Sequence, residues 1–329
     1  MTPAEEYQVI REGAAIGALS PRTPLGVTGS DRASYLQGLL TNDIVSLVPG
    51  TGCYAAWLTP QGRMLTDLHV LQSAGMILLD VPVEAAAATT ERLEQFIFSE
   101  DVAVAPLADS LATVWLHGPD AARVLQSALD GGPDLSAWTD YQHAQAELGG
   151  QPVSVARIDQ IGVPGFAVYV ERARLSPALA ALETCGARVV GADALEAARI
   201  EAGYPLYGVD MNETTIPLEA GIEPRAISFT KGCYVGQEVV IRVLHRGGGR
   251  VARKLVAMRV DGAPPARGAV LSAGGKDIGH VTSAARSPAL GSIALGYVHR
   301  DFTAPGTALE VATDAGRAAA VVGERPLRA

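Results

Sequence analysis

The 329-residue sequence predicts an α+β fold that ends in a small antiparallel β-barrel. Helix-like and strand-like segments follow one another without the regular β-α-β order of a parallel sheet, which favours the α+β class. Roughly the last 80 residues hold strand-like runs between turns and no convincing helix, which is typical of a small barrel. Three consecutive glycines at 247–249 mark a flexible connection or a close backbone approach before this part. We therefore predict two α+β subdomains within a body over residues 1–245 and a barrel domain over residues 246–329.

The first half of the body alternates helices and strands. Ser30 and Asp31 can cap a helix that runs to Leu40 and carries an apolar face. Turn residues at 60–63 separate two strands, and the Ala- and Leu-rich run 84–98 predicts a helix. The strands expected here cover residues 53–59, 64–71, 76–81, 102–105 and 111–116.

The second half of the body predicts a similar mixture. Pro119 opens a helix through Leu129, at a position that tolerates proline. Strands at 153–157 and 166–170 flank a Gly-Val-Pro-Gly turn, and helices near 173–184 and 193–202 enclose a short strand at 188–190. The barrel strands are expected at residues 254–260, 269–271, 278–284, 292–298, 308–311 and 318–322.

Composition narrows the possible classes of protein. A formal charge of −9 argues against a general nucleic-acid binder, because phosphate neutralisation needs a basic surface. No apolar run reaches about 18 residues, so we expect no membrane span. The three cysteines are far apart and the N-terminus does not resemble a signal peptide, so we expect a cytoplasmic protein. The six histidines form no i, i+4 pair, which argues against a metal site of the zinc type.

The most informative run, residues 229–238, reads F-T-K-G-C-Y-V-G-Q-E. Gly232 and Gly236 allow a sharp turn and close approach of a ligand. Lys231 lies two residues before Cys233 and would favour a thiolate there, the reactive form of cysteine, whereas Glu238 acts in the opposite direction. We therefore predict Cys233 and Lys231 as the catalytic pair. The alternative is a cysteine that packs as a small apolar residue.

This run, with Arg242 after it, resembles the signature of the YgfZ family. Those are folate-binding proteins linked to iron–sulfur cluster assembly and repair, related to the aminomethyltransferase (T-protein) of the glycine cleavage system. Segments 35–44, 199–208 and 216–221 are also similar to shared segments of the family, so the likeness spans positions 35 to 255. It implies a T-protein-like ring of three subdomains, with tetrahydrofolate or another reduced folate bound at its middle.

The resemblance also implies a set of folate-binding residues: Asp67, Arg199, Glu201, Lys231 and Arg242. Asp67 stands where T-proteins carry an Asp-Asp pair, although the residues alone favour a solvated strand carboxylate. Arg199 and Glu201 are two apart on a predicted helix and so point to different sides. A salt-bridging role for these two is as open as ligand contact.

Two departures separate the chain from the T-protein pattern. Thr66 replaces the other acid of the pair, and Val163 stands where T-proteins have a glutamate that holds the pterin. A valine cannot accept the paired N–H bonds of a pterin ring. These departures favour a YgfZ-like role over glycine-cleavage transfer and predict weak pterin selectivity.

A basic run near the glycines has two interpretations. It is either a solvated loop, or an anion cradle for the glutamate tail of folate or a docking strip for an acidic partner. Its members are Arg242, His245, Arg246, Arg250, Arg253 and Lys254.

Three functions follow as hypotheses. The leading one is a folate-binding accessory protein rather than a classical enzyme, with Cys233 as the key thiol and with iron–sulfur assembly proteins or client enzymes as partners. Because clusters usually need about four thiolate ligands, any cluster would be shared with a partner. The second is a tetrahydrofolate-dependent aminomethyltransferase or related one-carbon transferase, with Asp67 at the folate nitrogens. The third is a binding scaffold in which Cys233 is inert.

Overall fold

The computed structural model describes residues 1–245, 250–314 and 316–328. The first third of the chain forms α1 (Pro3–Glu12), β1 (Ala15–Ile16), β2 (Arg22–Thr28), α2 (Arg32–Leu39), β3 (Thr51–Leu58), β4 (Met64–Gln72), β5 (Ile77–Pro82), α3 (Val83–Gln95) and β6 (Ala103–Pro106). The middle part forms β7 (Leu111–His117), α4 (Ala121–Ala128), β8 (His143–Leu148), β9 (Gln151–Arg157), β10 (Gly165–Glu171), α5 (Leu175–Thr184), β11 (Arg188–Val189), α6 (Ala192–Ala202), α7 (Pro217–Ala220), α8 (Glu223–Ala226) and α9 (Gln237–His245). The last part forms β12 (Arg253–Val260), β13 (Val270–Ala273), β14 (Lys276–Ser287), β15 (Gly291–His299), β16 (Ala308–Thr313) and β17 (Gly316–Val322).

Two sheets form the body, each covered by helices on one face. The five-stranded sheet has the order β3-β4-β5-β2-β6, and the six-stranded sheet has the order β11-β1-β7-β10-β9-β8. Alternate strand residues point to opposite faces. One face of the first sheet therefore packs on α2 and α3 through residues such as Leu36 and Leu93, and one face of the second packs on α4 and α5 through residues such as Val124 and Leu182.

The inner faces of the two sheets share a central core. Tyr54, Leu71 and Leu78 of the first sheet lie in one buried cluster with Trp115 and Tyr169 of the second. The segment that carries α7 and α8 contributes to the same cluster. This arrangement places polar residues of β4 and β5 where the two halves of the body meet, since His69 contacts Tyr141 and Asp80 accepts from Tyr169.

The C-terminal strands close into a barrel with the order β12-β15-β14-β13-β16-β17, in which β17 pairs back onto β12. Its interior is filled by small and branched side chains such as Val281, Ala294 and Val311. The outer face of β12 and β15 packs through Leu255 and Leu295 against α6 of the body. Apolar surface buried on both sides of these strands holds the barrel to the body.

The predicted fold class, α+β with a closed antiparallel C-terminal barrel, is confirmed. The boundary between residues 245 and 246 adjoins residues outside the described ranges, and the division into domains stays a prediction. The predicted helix cap was wrong. α2 begins at Arg32, but the Asp31 carboxylate accepts from the Asp101 backbone N–H instead of capping its own helix. Among the helices of the described residues, none is both long and apolar enough to cross a membrane.

Candidate functional site

A cleft opens at the edge of the central core, between β2 and β4 on one side and the segments around residues 159, 204 and 225 on the other. Its walls combine carboxylates, cations and aromatic rings. The lining residues are Leu19, Ser20, Arg22, Tyr54, Asp67, His69, Asp159, Gln160, Tyr204, Pro205, Leu206 and Arg225.

Strand register brings the floor of this cleft together. Asp67 and His69 are two residues apart on β4, so their side chains leave the same face of the sheet. Tyr54 on β3 pairs directly with His69, and His69 pairs with Asp80 on β5. Three neighbouring strands thus place four polar side chains on the inner face.

Asp67 is held by two donors. The Tyr54 phenol donates to Asp67 Oδ2 at 2.7 Å, and Arg22 Nη1 lies 3.1 Å from Asp67 Oδ1. Arg22 also donates to the Asp80 carbonyl at 2.6 Å, and its Nε lies 3.6 Å from Asp80 Oδ2. Since a carboxylate can accept about four hydrogen bonds, Asp67 keeps acceptor capacity for a ligand.

Burial sets the electrostatics of this cluster. It raises the pKa of Asp80 to about 6 even though Arg22 lowers it. Burial lowers the pKa of Arg22, but Asp67 and Asp80 outweigh that effect and raise it above its ordinary value. Burial and the Asp67 charge raise the pKa of Tyr54 well above 10, so its phenol stays a hydrogen-bond donor.

Arg225 forms the opposite wall of the cleft. Its guanidinium carbon lies 4.4 Å from the Tyr204 ring centroid and 5.5 Å from that of Tyr54. Its Nη2 donates to the Asp159 carbonyl at 3.1 Å, and the Tyr204 hydroxyl donates to Asp159 Oδ2 at 3.0 Å. The wall therefore offers a positive charge and flat aromatic surface to an anionic, ring-containing ligand.

Of the residues predicted for the site, Asp67 lies in the cleft. Arg199 is fully buried, where its Nη1 donates to Asp210 Oδ2 at 2.7 Å and its Nη2 donates to Ser283 Oγ at 2.8 Å. Glu201 accepts from the Tyr7 hydroxyl at 2.8 Å and pairs with Arg11. The structure thus gives Arg199 and Glu201 the salt-bridging arrangement that the sequence left open, and does not bring them to the cleft lining.

Lys231 lies at the end of α2 rather than in the cleft lining. Its Nζ donates to the carbonyl oxygens of Gln37, Leu40 and Asn42 at 2.7, 2.6 and 2.8 Å. Burial lowers the pKa of Lys231 to about 8. The cation predicted to serve Cys233 therefore serves as a cap for carbonyls that a helix end leaves without partners.

The three cysteines also lie outside the cleft lining. Cys233 is exposed and does not line the cleft. The Lys231 charge acts instead on Cys53, whose thiol pKa burial raises to about 12. A Cβ added at Gly236, which has a φ of +85°, would lie 2.5 Å from the Thr59 carbonyl oxygen. Much of the run 229–238 is therefore explained by packing against α2 and the turn after β3, and a chemical role for Cys233 stays a prediction.

The basic run lies only partly within the described residues. Arg253 pairs with Glu219 at 3.2 Å, while Arg242 and Arg250 are exposed and do not line the cleft. The side chain of His245 and residue Arg246 fall outside the described part of the chain. Folate contact by Arg242 stays a prediction.

Sequence reasoning missed Arg22, Tyr54, His69 and Arg225 as site residues. His69 could have been found, because alternation along β4 puts it on the same face as Asp67. Within the described residues, no group of three or more His, Cys, Asp or Glu side chains is placed to hold a metal ion.

Two families match the chain in tandem. The GCVT N-terminal domain matches residues 2–231, and the glycine cleavage T-protein C-terminal barrel domain matches residues 253–327. The chain is 32% identical over 295 residues to an aminomethyltransferase of Rubrobacter xylanophilus, covering 89% of this chain and 78% of the relative. It is 32% identical over 315 residues to an aminomethyltransferase of Streptomyces coelicolor, covering 92% and 83%.

A solved structure gives the same result. The crystal structure of glycine cleavage system aminomethyltransferase T from Bartonella henselae superposes with a TM-score of 0.88 at 25% identity, over 98% of this chain and 89% of that one.

These matches overturn the leading hypothesis from the sequence. The interpretation as an iron–sulfur accessory protein is wrong, because relatives named aminomethyltransferase align over about nine-tenths of the chain. The matches support the T-protein relationship and give no support to the narrower YgfZ assignment or to iron–sulfur partners.

Proposed function

The chain belongs to the glycine cleavage T-protein family, and we propose that it is a tetrahydrofolate-dependent aminomethyltransferase. The observation that carries the proposal is the Asp67 carboxylate, held by Tyr54 and Arg22 on the floor of a cleft. Placing a carboxylate with free acceptor capacity in a sheltered cleft suits proton transfer at a nitrogen of a bound ligand.

The donor set of the cleft fits a reduced folate. Asp67 offers acceptor positions for N–H groups, Tyr54 and Tyr204 offer aromatic faces, and Arg225 offers a cation for the carboxylates of a glutamate tail. Bound tetrahydrofolate would supply the nitrogens that take up the transferred carbon.

The residues of the chain position the ligand, take up the proton and exclude water. Asp67 accepts a proton or hydrogen bond at its carboxylate, and Tyr54 and Arg22 fix the direction of its oxygens. Asp80 holds Arg22 in place from the neighbouring strand. Arg225 orients the anionic end of the ligand, and the buried aromatic core behind the floor excludes water, which strengthens each of these interactions.

One observation favours a related one-carbon transferase as a second candidate. Val163 is packed against an apolar cluster that contains Ile10, Ile161 and Leu195, so the pterin-holding glutamate of T-proteins has no counterpart there. A changed pocket can accompany a changed one-carbon donor.

Turnover is the decisive test. Purified protein is incubated with tetrahydrofolate and an aminomethylated carrier protein, and the release of ammonia and the formation of methylene-tetrahydrofolate are followed. We expect tetrahydrofolate-dependent turnover of about 1 per second or faster. Turnover only with small N-methylated or aminomethylated amines would select the second candidate. No turnover with any donor, together with no heat of binding at millimolar tetrahydrofolate, would remove the proposal.

A further inference from the structure

His69 is a buried histidine on the cleft floor for which the mechanism above has no role. It is 5% exposed and stands two residues after Asp67 on the same face of β4. Its ring centroid lies 5.6 Å from that of Tyr54, 6.1 Å from that of Trp115 and 5.8 Å from that of Tyr141. Three aromatic rings, one from each sheet and one from the segment before β8, therefore fix the orientation of the imidazole.

The hydrogen bond behind the ring determines its tautomer. His69 Nδ1 lies 3.0 Å from the Tyr141 hydroxyl oxygen, and this is the only hydrogen bond of that hydroxyl to the described residues. If Nδ1 carried the proton, the buried phenol would have no acceptor for its own O–H. The satisfied arrangement has Tyr141 donating to Nδ1, so the proton of the neutral ring sits on Nε2.

The charge state of the ring is fixed as well. Burial and the neighbouring Arg22 and Arg225 charges lower the pKa of His69 well below 6.5. Only the neutral imidazole is then populated near neutral pH, with one donor and one acceptor nitrogen.

The remaining nitrogen is available to the cleft. His69 lines the cleft, and Nε2 has no hydrogen-bond partner within the described part of the chain. It is also not among the fully occluded polar atoms without a partner. The floor therefore presents an N–H donor at His69 and carboxylate acceptors at Asp67, with backbone positions about 7 Å apart along the strand.

We propose that His69 is a specificity-determining residue, whose Nε2–H donates to the carbonyl oxygen of a fused two-ring heterocycle while Asp67 accepts from an N–H of the same ligand. This inference rests on the proposed function, because it places a reduced pterin in the cleft. His69 would supply from the floor the heterocycle recognition that Val163 cannot supply from the loop.

The test compares two probes by calorimetry. Tetrahydrofolate carries the carbonyl, and its 4-amino-4-deoxy analogue carries an amino donor in its place. We expect His69→Leu to raise the Kd for tetrahydrofolate about tenfold, which corresponds to one lost hydrogen bond, and to leave the Kd for the analogue within about twofold. Tyr141→Phe, which keeps the imidazole but frees its tautomer, should raise the tetrahydrofolate Kd about threefold by the same reasoning.

His143→Leu is the matched control. His143 is also buried and its Nε2 contacts the Gln72 carbonyl at 2.9 Å, but it does not line the cleft. This variant should leave the ratio of the two Kd values unchanged, whatever it does to thermal stability.

Each result decides the question. A wild-type protein that binds neither probe sinks the proposed function. A wild-type protein that binds tetrahydrofolate, with a His69→Leu variant whose two Kd values are unchanged or rise equally, overturns the role of His69 alone. If His69→Leu fails to fold, Tyr141→Phe decides, and an unchanged ratio of its Kd values overturns the inference.

Discussion

The Tyr54 phenol donates a 2.7 Å hydrogen bond to Asp67 Oδ2 between adjacent strands of the first sheet. Both residues are buried, at 7% and 5% exposure. Because the pKa of Tyr54 is raised by burial and by Asp67, the phenol keeps its proton over the whole working range of pH. The bond therefore orients Asp67 permanently and makes its carboxylate the centre of the candidate site.

Replacing Asp67 by Asn should abolish most transfer while the fold persists. The amide keeps the size of the side chain but cannot take up a proton, and general-base catalysis contributes about 10²- to 10⁴-fold to rates. We expect kcat to fall by about that factor, with a smaller change in KM for tetrahydrofolate. Steady-state ammonia release gives both constants.

The neighbouring Thr66→Ser is the control for Asp67→Asn, because Thr66 is buried next to Asp67 and does not line the cleft. It should keep kcat within about twofold, as a conservative change away from the reacting groups. An Asp67→Asn variant with more than half of the wild-type kcat would contradict the role of Asp67.

The sequence predicted the parts of the fold that depend on local pattern. The barrel strands were located from strand-like runs between turns, and the structure buries alternate residues of such runs, as in β16, where Leu309 and Val311 point inward. Local pattern and turn chemistry carry this information within a window of about ten residues. Asp67 was singled out by the resemblance instead, because it stands where T-proteins carry an Asp-Asp pair.

The rest of the site depends on contacts that no window contains. Arg22 contacts Asp67 from 45 residues away in the chain. It lies on β2, which is hard to predict as a strand because Pro24 and Gly26 are poor strand formers. Arg225 sits on a four-residue helix, which is too short to show a period. The sequence suggested Cys233 as the partner of Lys231, because the two are close in the chain. In the fold, Lys231 instead donates to carbonyl oxygens at the end of α2, about 190 residues earlier.

Asp80 should make stability fall as the pH rises. Its pKa is about 6 in the folded protein against 3.8 for an unperturbed aspartate, so between about pH 4 and 6 the folded state binds more protons than the unfolded state. The free energy of unfolding of the wild type, relative to Asp80→Asn, should therefore drop by about 2–3 kcal/mol between pH 4 and pH 7.5. Urea unfolding of both proteins at the two pH values measures it.

Asp101→Asn is the control, and its effect on stability should depend on pH in the opposite direction. Hydrogen bonds from the Ser30 backbone and side chain lower the pKa of Asp101, which lies at the surface. The stability of the wild type relative to this variant should rise with pH in the acid range, because the unfolded state then binds more protons. A difference between wild type and Asp80→Asn that is constant with pH, or that rises with it, would refute the assignment of Asp80.

Lys231→Met should destabilise the protein rather than block chemistry. The substitution leaves the carbonyls of Gln37, Leu40 and Asn42 without their donor at the end of α2. Hydrogen bonds to a charged group contribute about 1.5–3 kcal/mol, so we expect a loss of about 2–4 kcal/mol in urea unfolding. Cys233→Ser, an exposed change in the same run, should stay within about 0.5 kcal/mol of wild type. A Lys231→Met variant as stable as the wild type would show that this cap does not contribute to the free energy of unfolding.

The cysteines should alkylate in an order set by burial. Cys233 is exposed, whereas the Cys53 thiol has a pKa of about 12 and is almost never a thiolate near pH 8. We expect iodoacetamide to modify Cys233 at least about 100-fold faster than Cys53, as measured by peptide mass spectrometry against time. The rates should converge in urea. Because Cys233 does not line the cleft, the labelled protein should keep its transfer activity, and loss of activity in step with labelling would restore Cys233 as a site residue.

Arg225 should govern the affinity for the anionic end of folate. Its guanidinium lies against the Tyr204 and Tyr54 rings and faces the cleft, so Arg225→Met removes a charge from a confined, partly desolvated place. We expect the Kd for tetrahydrofolate to rise about 10- to 30-fold at low salt, and the dependence of Kd on salt to flatten because the screened attraction is lost. Arg225→Lys should have a Kd between those of the wild type and Arg225→Met. Its ammonium keeps the charge, but it neither stacks as a plane nor reproduces the guanidinium geometry. Calorimetry at two salt concentrations separates the cases: a Met variant with the wild-type Kd and the wild-type salt slope would mean that the anionic tail binds elsewhere, with the exposed Arg242 and Arg250 as the next residues to change.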